Sequence, residues 1–353
     1  MADPSVHHFP STPLLTTLGV QPSAAGIQSL RLAKRILWGK LAEAGCEGAF
    51  GQRLWQILDR AVETRLDLLP LLACQALGGQ PRQAIPLMAA WRLLRLSAKL
   101  LDDVADGESA SPPGEAISIA TGLLFLAHQA LEVLSKRGVP ASRIARLRQG
   151  LHAAGLRACA GQFGELVSVD ELDPESWLEI ANAKSGAPFA WACWAGALVA
   201  GGDDRTLTCF HEFGLHLGIL LQVADDFNGI WVSAGPNDLG NAHQSCWPTG
   251  SAPNLATCYA RLVTAGEARR RLENLLQNAA RGDNEAQAHL KSWLVELGAQ
   301  VYLLVVGRQQ RRQALAALQE SGHLTPPLVA LLDQVWPALT AAANEGNPNG
   351  TPA

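Results

Sequence analysis

At 353 residues, with 48% hydrophobic and 17% charged side chains, the chain can build one large or two ordinary domains. Against the roughly 25% charged residues usual in soluble proteins, it is too apolar to be disordered or fibrous. Lys and Arg total 28 against 32 Asp and Glu, a formal net charge of −4, so no basic excess points to nucleic acid or to an anionic membrane surface.

Residues 1–25 carry His7, His8, Pro10, Pro13 and Pro22 but neither a basic start nor a long apolar run. They are predicted to be a disordered arm rather than a signal peptide. Beyond them a 3.6-residue hydrophobic period recurs and β-branched alternation is nearly absent, which predicts an all-α protein. Helices are expected over 26–44, 51–77, 83–106, 115–136, 142–160, 174–200, 205–231, 254–280, 284–297, 300–320 and 326–343. Apolar stretches such as 85–101 are interrupted by Arg92, Arg95 and Lys99, so no transmembrane segment is expected. Loop clusters rich in Gly, Pro, Asn and Ser fall at 78–82, 107–114 and 235–253; the last is long enough to act as a lid. With no fixed repeat and no composition break, one helical domain over 26–343 is predicted, followed by a disordered polar tail over 344–353. The seven cysteines, Cys46, Cys74, Cys159, Cys193, Cys209, Cys246 and Cys258, contain no C-x-x-C pair. Reduced thiols in the cytoplasm are expected, not a disulfide framework or a zinc site.

Two places concentrate carboxylates. In the run from Leu100 to Asp106, Asp102 and Asp106 are four apart and stack one turn above the other, beside Asp103. In the run from Gln222 to Gly229, Asp225 and Asp226 interrupt a long apolar helix with no basic neighbour. Like charges at this spacing destabilise a helix unless a cation lies between them, and a hard divalent ion such as Mg²⁺ suits oxygen ligands. Either cluster alone could be a solvated helix end; facing each other across a bundle, the two could clamp a metal-bound anion.

With these residues the chain resembles the trans-prenyl diphosphate synthases and their class I terpene synthase relatives. Asp102-Asp103-Val104-Ala105-Asp106 is similar to the first aspartate-rich motif of that family. Phe213-Gly214 to Leu217-Gly218, with Gln222 and Asp225-Asp226, is similar to the block that holds the second. Gly161-Gln162 and Lys184-Ser185-Gly186 resemble two intervening elements. The resemblance implies a single helical bundle of the isoprenoid synthase type around a central cavity, a homodimer, and three Mg²⁺ ions bridging the clusters and a substrate diphosphate. Asp102, Asp106 and Asp225 would be metal ligands, with Asp103 and Asp226 orienting the site or binding through water. Lys184 would grip the diphosphate, and Gln222 would contact substrate.

The departures concern a second diphosphate. The family's basic G-G-K-R-x-R stretch reads Gly78-Gly79-Gln80-Pro81-Arg82, and no arginine follows Asp106 in the run to Gly114. Arg95, seven residues before Asp102, either anchors a second diphosphate together with Arg82 or pairs with a buried carboxylate. The first expectation is therefore a terpene synthase, which ionises one allylic diphosphate and quenches the cation by cyclisation, deprotonation or water. The alternatives are a polyprenyl diphosphate synthase or other prenyltransferase, whose second site could draw on Arg82, Arg92, Arg95 or Lys99, and an inactive regulatory subunit. By the same resemblance, bulky residues one turn before Asp102 would stop the growing chain, and the small Ala98 and Ser97 found there imply an open channel, with Leu94 and Trp91 as its floor. Allylic substrates of fifteen carbons or more are expected.

Overall fold

A computed structural model describes residues 23–167, 172–232, 254–336 and 339. Among these the chain is helical and contains no strand. The elements are α1 (Ala24–Ala44), α2 (Ala49–Arg60), α3 (Leu69–Ala76), α4 (Pro81–Ala105), α5 (Pro113–Glu132), α6 (Ala141–Val167) and α7 (Pro174–Ala181), then α8 (Ala187–Ala200), α9 (Asp204–Trp231), α10 (Leu255–Val263), α11 (Gly266–Ala280), α12 (Asn284–Glu296), α13 (Ala299–Ser321) and α14 (Pro326–Val335). The predicted arm up to residue 22, the predicted lid and the predicted tail lie outside the described residues.

Local chemistry sets the helix ends. Asp203 begins α9 by accepting from Thr206 N at 2.8 Å, and Asp173 begins α7 by accepting from Ser176 N at 2.8 Å. The centre of the bundle is α8, whose Ala, Phe, Trp, Leu and Val side chains are buried around most of its circumference. It packs along α9 on one side and against α3 and α6 on others, while α4 pairs with α5 and α9 with α13. Two helices, Pro113–Arg137 with its terminal 3₁₀ turn and Asp204–Trp231, are nonetheless long and apolar enough to cross a membrane by length and composition. More than half of the most apolar window in α9, and just under half of that in α5, is buried inside the bundle.

Three predicted helices are broken. The one over 51–77 ends at Arg60; Thr64 then starts a 3₁₀ turn, Arg65–Leu68, in a capping box where Thr64 N donates to Asp67 Oδ2 at 2.8 Å. The one over 254–280 is interrupted by extended Thr264 and Ala265, before Gly266 with φ of 56°. The one over 174–200 contains a π-helical turn, Asn182–Gly186, closed by Ala187 N donating to Asn182 O. Hydrophobic periodicity continues across all three, so it conceals a break that costs only a few backbone hydrogen bonds. Free thiols are found at Cys74, Cys193, Cys209 and Cys258 in the interior and at Cys46 and Cys159 on the surface.

Candidate active site

Along α4, Arg95, Ala98, Asp102 and Asp106 recur at i, i+3, i+7 and i+11 and share one face. Across from it, α9 presents Asp225. Burial, and after it the charge of Asp102, push Asp106 up to about 6 and Asp225 up to about 7. Asp102 therefore acts on carboxyls of both clusters, which the fold brings together as the spacing implied. Asp225 is solvent-accessible yet desolvated, the combination expected of a group lining a concavity.

Lys184 lies between the clusters. Its Nζ is 2.9 Å from Asp102 Oδ1 and 2.5 Å from Glu165 Oε2. Burial lowers its pKa, but Asp102 and Glu165 outweigh burial and push it up to about 12, so it is an ammonium throughout the physiological range. The π turn is what presents it: an extra residue in the turn swings Lys184 out of the register that a continuous α-helix would impose. Glycines let the neighbouring helices close on this turn. A Cβ at Gly161 of α6 would lie 2.5 Å from Lys184 N, and one at Gly218 of α9 would lie 2.5 Å from Ser185 O. Gln222 accepts from Ser185 Oγ at 2.9 Å, so the second block is tied to the Lys184 turn by a hydrogen bond as well as by close approach.

Glu165 escaped the sequence reading. It is the one charged residue between Arg157 and Val167 of α6, and it is buried. A lone carboxylate three residues after Gln162 in so apolar a stretch was the available signal, because buried acids require a partner.

Other expected site residues are placed elsewhere. Arg82 stands at the start of α4, twenty residues before Asp102, which at 1.5 Å per residue is about 30 Å along the axis. It is therefore not part of the site. Ser97 is buried and donates to Ala120 O of α5 at 2.8 Å, so it faces α5 rather than a channel, whereas Ala98 is exposed. Trp91 is core, its ring edge-on to Phe189 and its Nε1 donating to Leu66 O. Asp103 faces Lys99 at 3.1 Å. Burial drives Asp226 well above the carboxylate range, and its Oδ2 accepts from Leu255 N at 2.6 Å. It thus ties the start of α10 to the second cluster through one of its two oxygens. Arg95 takes the carboxylate-paired alternative, with Nη1 2.6 Å from Asp67 Oδ1 and 2.8 Å from Thr64 Oγ1.

Residues 64–292 match the family model described as polyprenyl synthetase. The chain belongs to the polyprenyl synthetase family. It is 28% identical over 271 residues to a geranylgeranyl diphosphate synthase of Mycobacterium tuberculosis, covering 73% of this chain and 75% of that one. It is 29% identical over 253 residues to a farnesyl diphosphate synthase of Geobacillus stearothermophilus, covering 67% and 80%. The crystal structure of a polyprenyl synthetase from Streptomyces coelicolor superposes with a TM-score of 0.68 at 22% identity, over 90% of this chain and all of that one. This likeness establishes the all-α isoprenoid synthase fold. These comparisons favour the polyprenyl diphosphate synthase or prenyltransferase reading over that of a terpene synthase.

Proposed function

We propose that this polyprenyl synthetase family member is a Mg²⁺-dependent prenyltransferase that ionises an allylic prenyl diphosphate. The observation that carries the reading is Lys184 held between Asp102 and Glu165, opposite Asp225.

Among the described residues no three carboxylates, thiols or imidazoles converge closely enough to hold a metal ion alone. Mg²⁺ keeps several waters and is bound through one or two carboxylates plus substrate phosphates. Asp102 Oδ1 is buried against the Lys184 ammonium, and burial and the charge of Asp102 raise the proton affinity of Asp106 and Asp225, a repulsion that a divalent cation between them would offset. Asp102, Asp106 and Asp225 would hold the ions, three by family resemblance. Bound there, Mg²⁺ would supply Lewis-acid stabilisation of the leaving diphosphate. Lys184, permanently charged, would donate to diphosphate oxygens as the C1–O bond lengthens, which is transition-state electrostatics and not proton transfer. Glu165 holds the ammonium in position. Retained, mutually repelling carboxylates argue against an inactive regulatory subunit.

Ala98, small and on the same face of α4 as Asp102, supports substrates of fifteen carbons or more. A homodimer is supported by exposed Leu124 and Phe125 on α5 and Leu156 and Phe163 on α6, an apolar surface that a second copy would cover. Free thiols support a cytoplasmic location. The test is diphosphate release from ten-, fifteen- and twenty-carbon allylic diphosphates with Mg²⁺, in wild type, Asp102→Ala and Asp225→Ala. Each variant should lose about 10²-fold or more; either one keeping a tenth of the wild-type rate would refute the two-cluster site.

A further inference from the structure

A transfer from an allylic diphosphate can end on a second diphosphate substrate or on an uncharged acceptor, and the two need different surroundings. A second diphosphate brings several negative charges beside the first and is held only where cations are free to meet it. Lysine and arginine are absent from 1–22, 168–171, 233–253 and 337–353. Every cation that could meet it therefore lies on a described segment.

On α4, the helix that carries the first cluster, each of the three cations within three turns of Asp102, namely Arg92, Arg95 and Lys99, has a carboxylate of the chain beside it, and Arg82 lies about 30 Å from Asp102 along the axis. Arg95 is bound by Asp67 and Thr64. Asp67 is only 4% exposed, and its other oxygen accepts from Thr64 N, so this carboxylate is satisfied by the chain's own donors. Arg92, 3% exposed, donates to Ala61 O and sits in the field of Asp67 and Glu63. Glu63 is itself fixed by Ser23, whose Oγ donates at 2.8 Å. Two guanidiniums and two carboxylates sum to zero charge. Lys99 faces Asp103, and Lys184 belongs to the first diphosphate.

We infer that Glu63 and Asp67 close this cationic face from within, so that each site binds one diphosphate and the acceptor is uncharged. The inference rests on the allylic diphosphate reading above. In the reaction the C1–O bond breaks and its electron pair leaves on the diphosphate oxygen. C1 then bonds to a π or lone pair of the acceptor, and the acceptor's proton passes to diphosphate or water.

Titration calorimetry on the full chain with Mg²⁺ tests this, using the unreactive thiolo analogue of farnesyl diphosphate followed by isopentenyl diphosphate. The analogue should bind and isopentenyl diphosphate should give no heat. No binding of the analogue would overturn the allylic diphosphate reading itself. Isopentenyl diphosphate binding to the analogue complex would overturn the inference alone. Glu63→Gln with Asp67→Asn releases Arg95 from its ion pair and leaves the charge of buried Arg92 uncompensated, and should bring isopentenyl diphosphate binding into range, a gain on the order of tenfold or more. Asp67→Asn alone, which keeps the acceptor for Thr64 N, should give part of that gain if the double variant fails to fold. No gain in a folded variant would show that these carboxylates are not what excludes the second anion.

Discussion

Replacing Lys184 with methionine should separate what this side chain does for the fold from what it does for chemistry. Lys184 is 18% exposed and Glu165 11% at the side chain, 2.5 Å apart. Removing one member of a buried ion pair costs about 3–5 kcal/mol because the remaining charge is stranded. Partial exposure places this pair near the lower end, at about 3 kcal/mol. An unfolding entropy of about 2.1 cal/mol/K per residue gives roughly 0.7 kcal/mol/K for a chain of this size, so Tm should fall by about 4 °C. Glu165→Gln in the same chain removes the stranded charge and should recover most of that loss. It should not recover activity, which stays down by about 10²-fold or more because the ammonium that meets the diphosphate is gone. Calorimetric Tm and diphosphate release, measured on the two single variants and the double, close the cycle. A Lys184→Met protein as stable as wild type, or a double variant no more stable than that single one, would refute the stranded-charge account.

Because Asp106 and Asp225 are raised to about 6 and about 7, the metal-free fold favours their protonated forms. Their contribution to stability is present below the unfolded value near pH 4 and is lost as pH rises through 6 to 7. Tm without metal should therefore fall between about pH 4 and 7 and level off above that, while the Tm gain from Mg²⁺ should grow as pH rises to 7; a gain independent of pH would contradict this. Asp225→Asn should flatten both trends, read by the same thermal scans. Ala98→Phe should shift turnover toward ten- and fifteen-carbon diphosphates, and an unchanged length profile would show that this face of α4 does not line the cavity. Gly218→Ala should destabilise by about 1–3 kcal/mol and slow turnover, because its Cβ would meet Ser185 O at 2.5 Å. Gly155→Ala, which meets nothing within 4 Å, should leave stability unchanged or slightly raised.

Helical periodicity, the spacing of Asp102 and Asp106, the Asp225-Asp226 pair and the order of the glycine-bearing elements were all legible in the sequence. Each is a local pattern: a face, a turn or a short motif that needs no distant partner to be read. Tertiary structure alone decided which charges meet. Whether Arg95 waits for a substrate or is spent on Asp67, 28 residues away, depends on how the turn after Thr64 lies against α4. Lys184 and Glu165 are 19 residues apart and meet only because α6 packs onto a π turn through Gly161. Asp226 looks like Asp225 in the sequence, yet one of its oxygens accepts from Leu255 N, beyond residues 233–253 in the chain. A charge is written at one position, but its strength and its availability depend on the dielectric and the counter-charges that the folded chain puts around it.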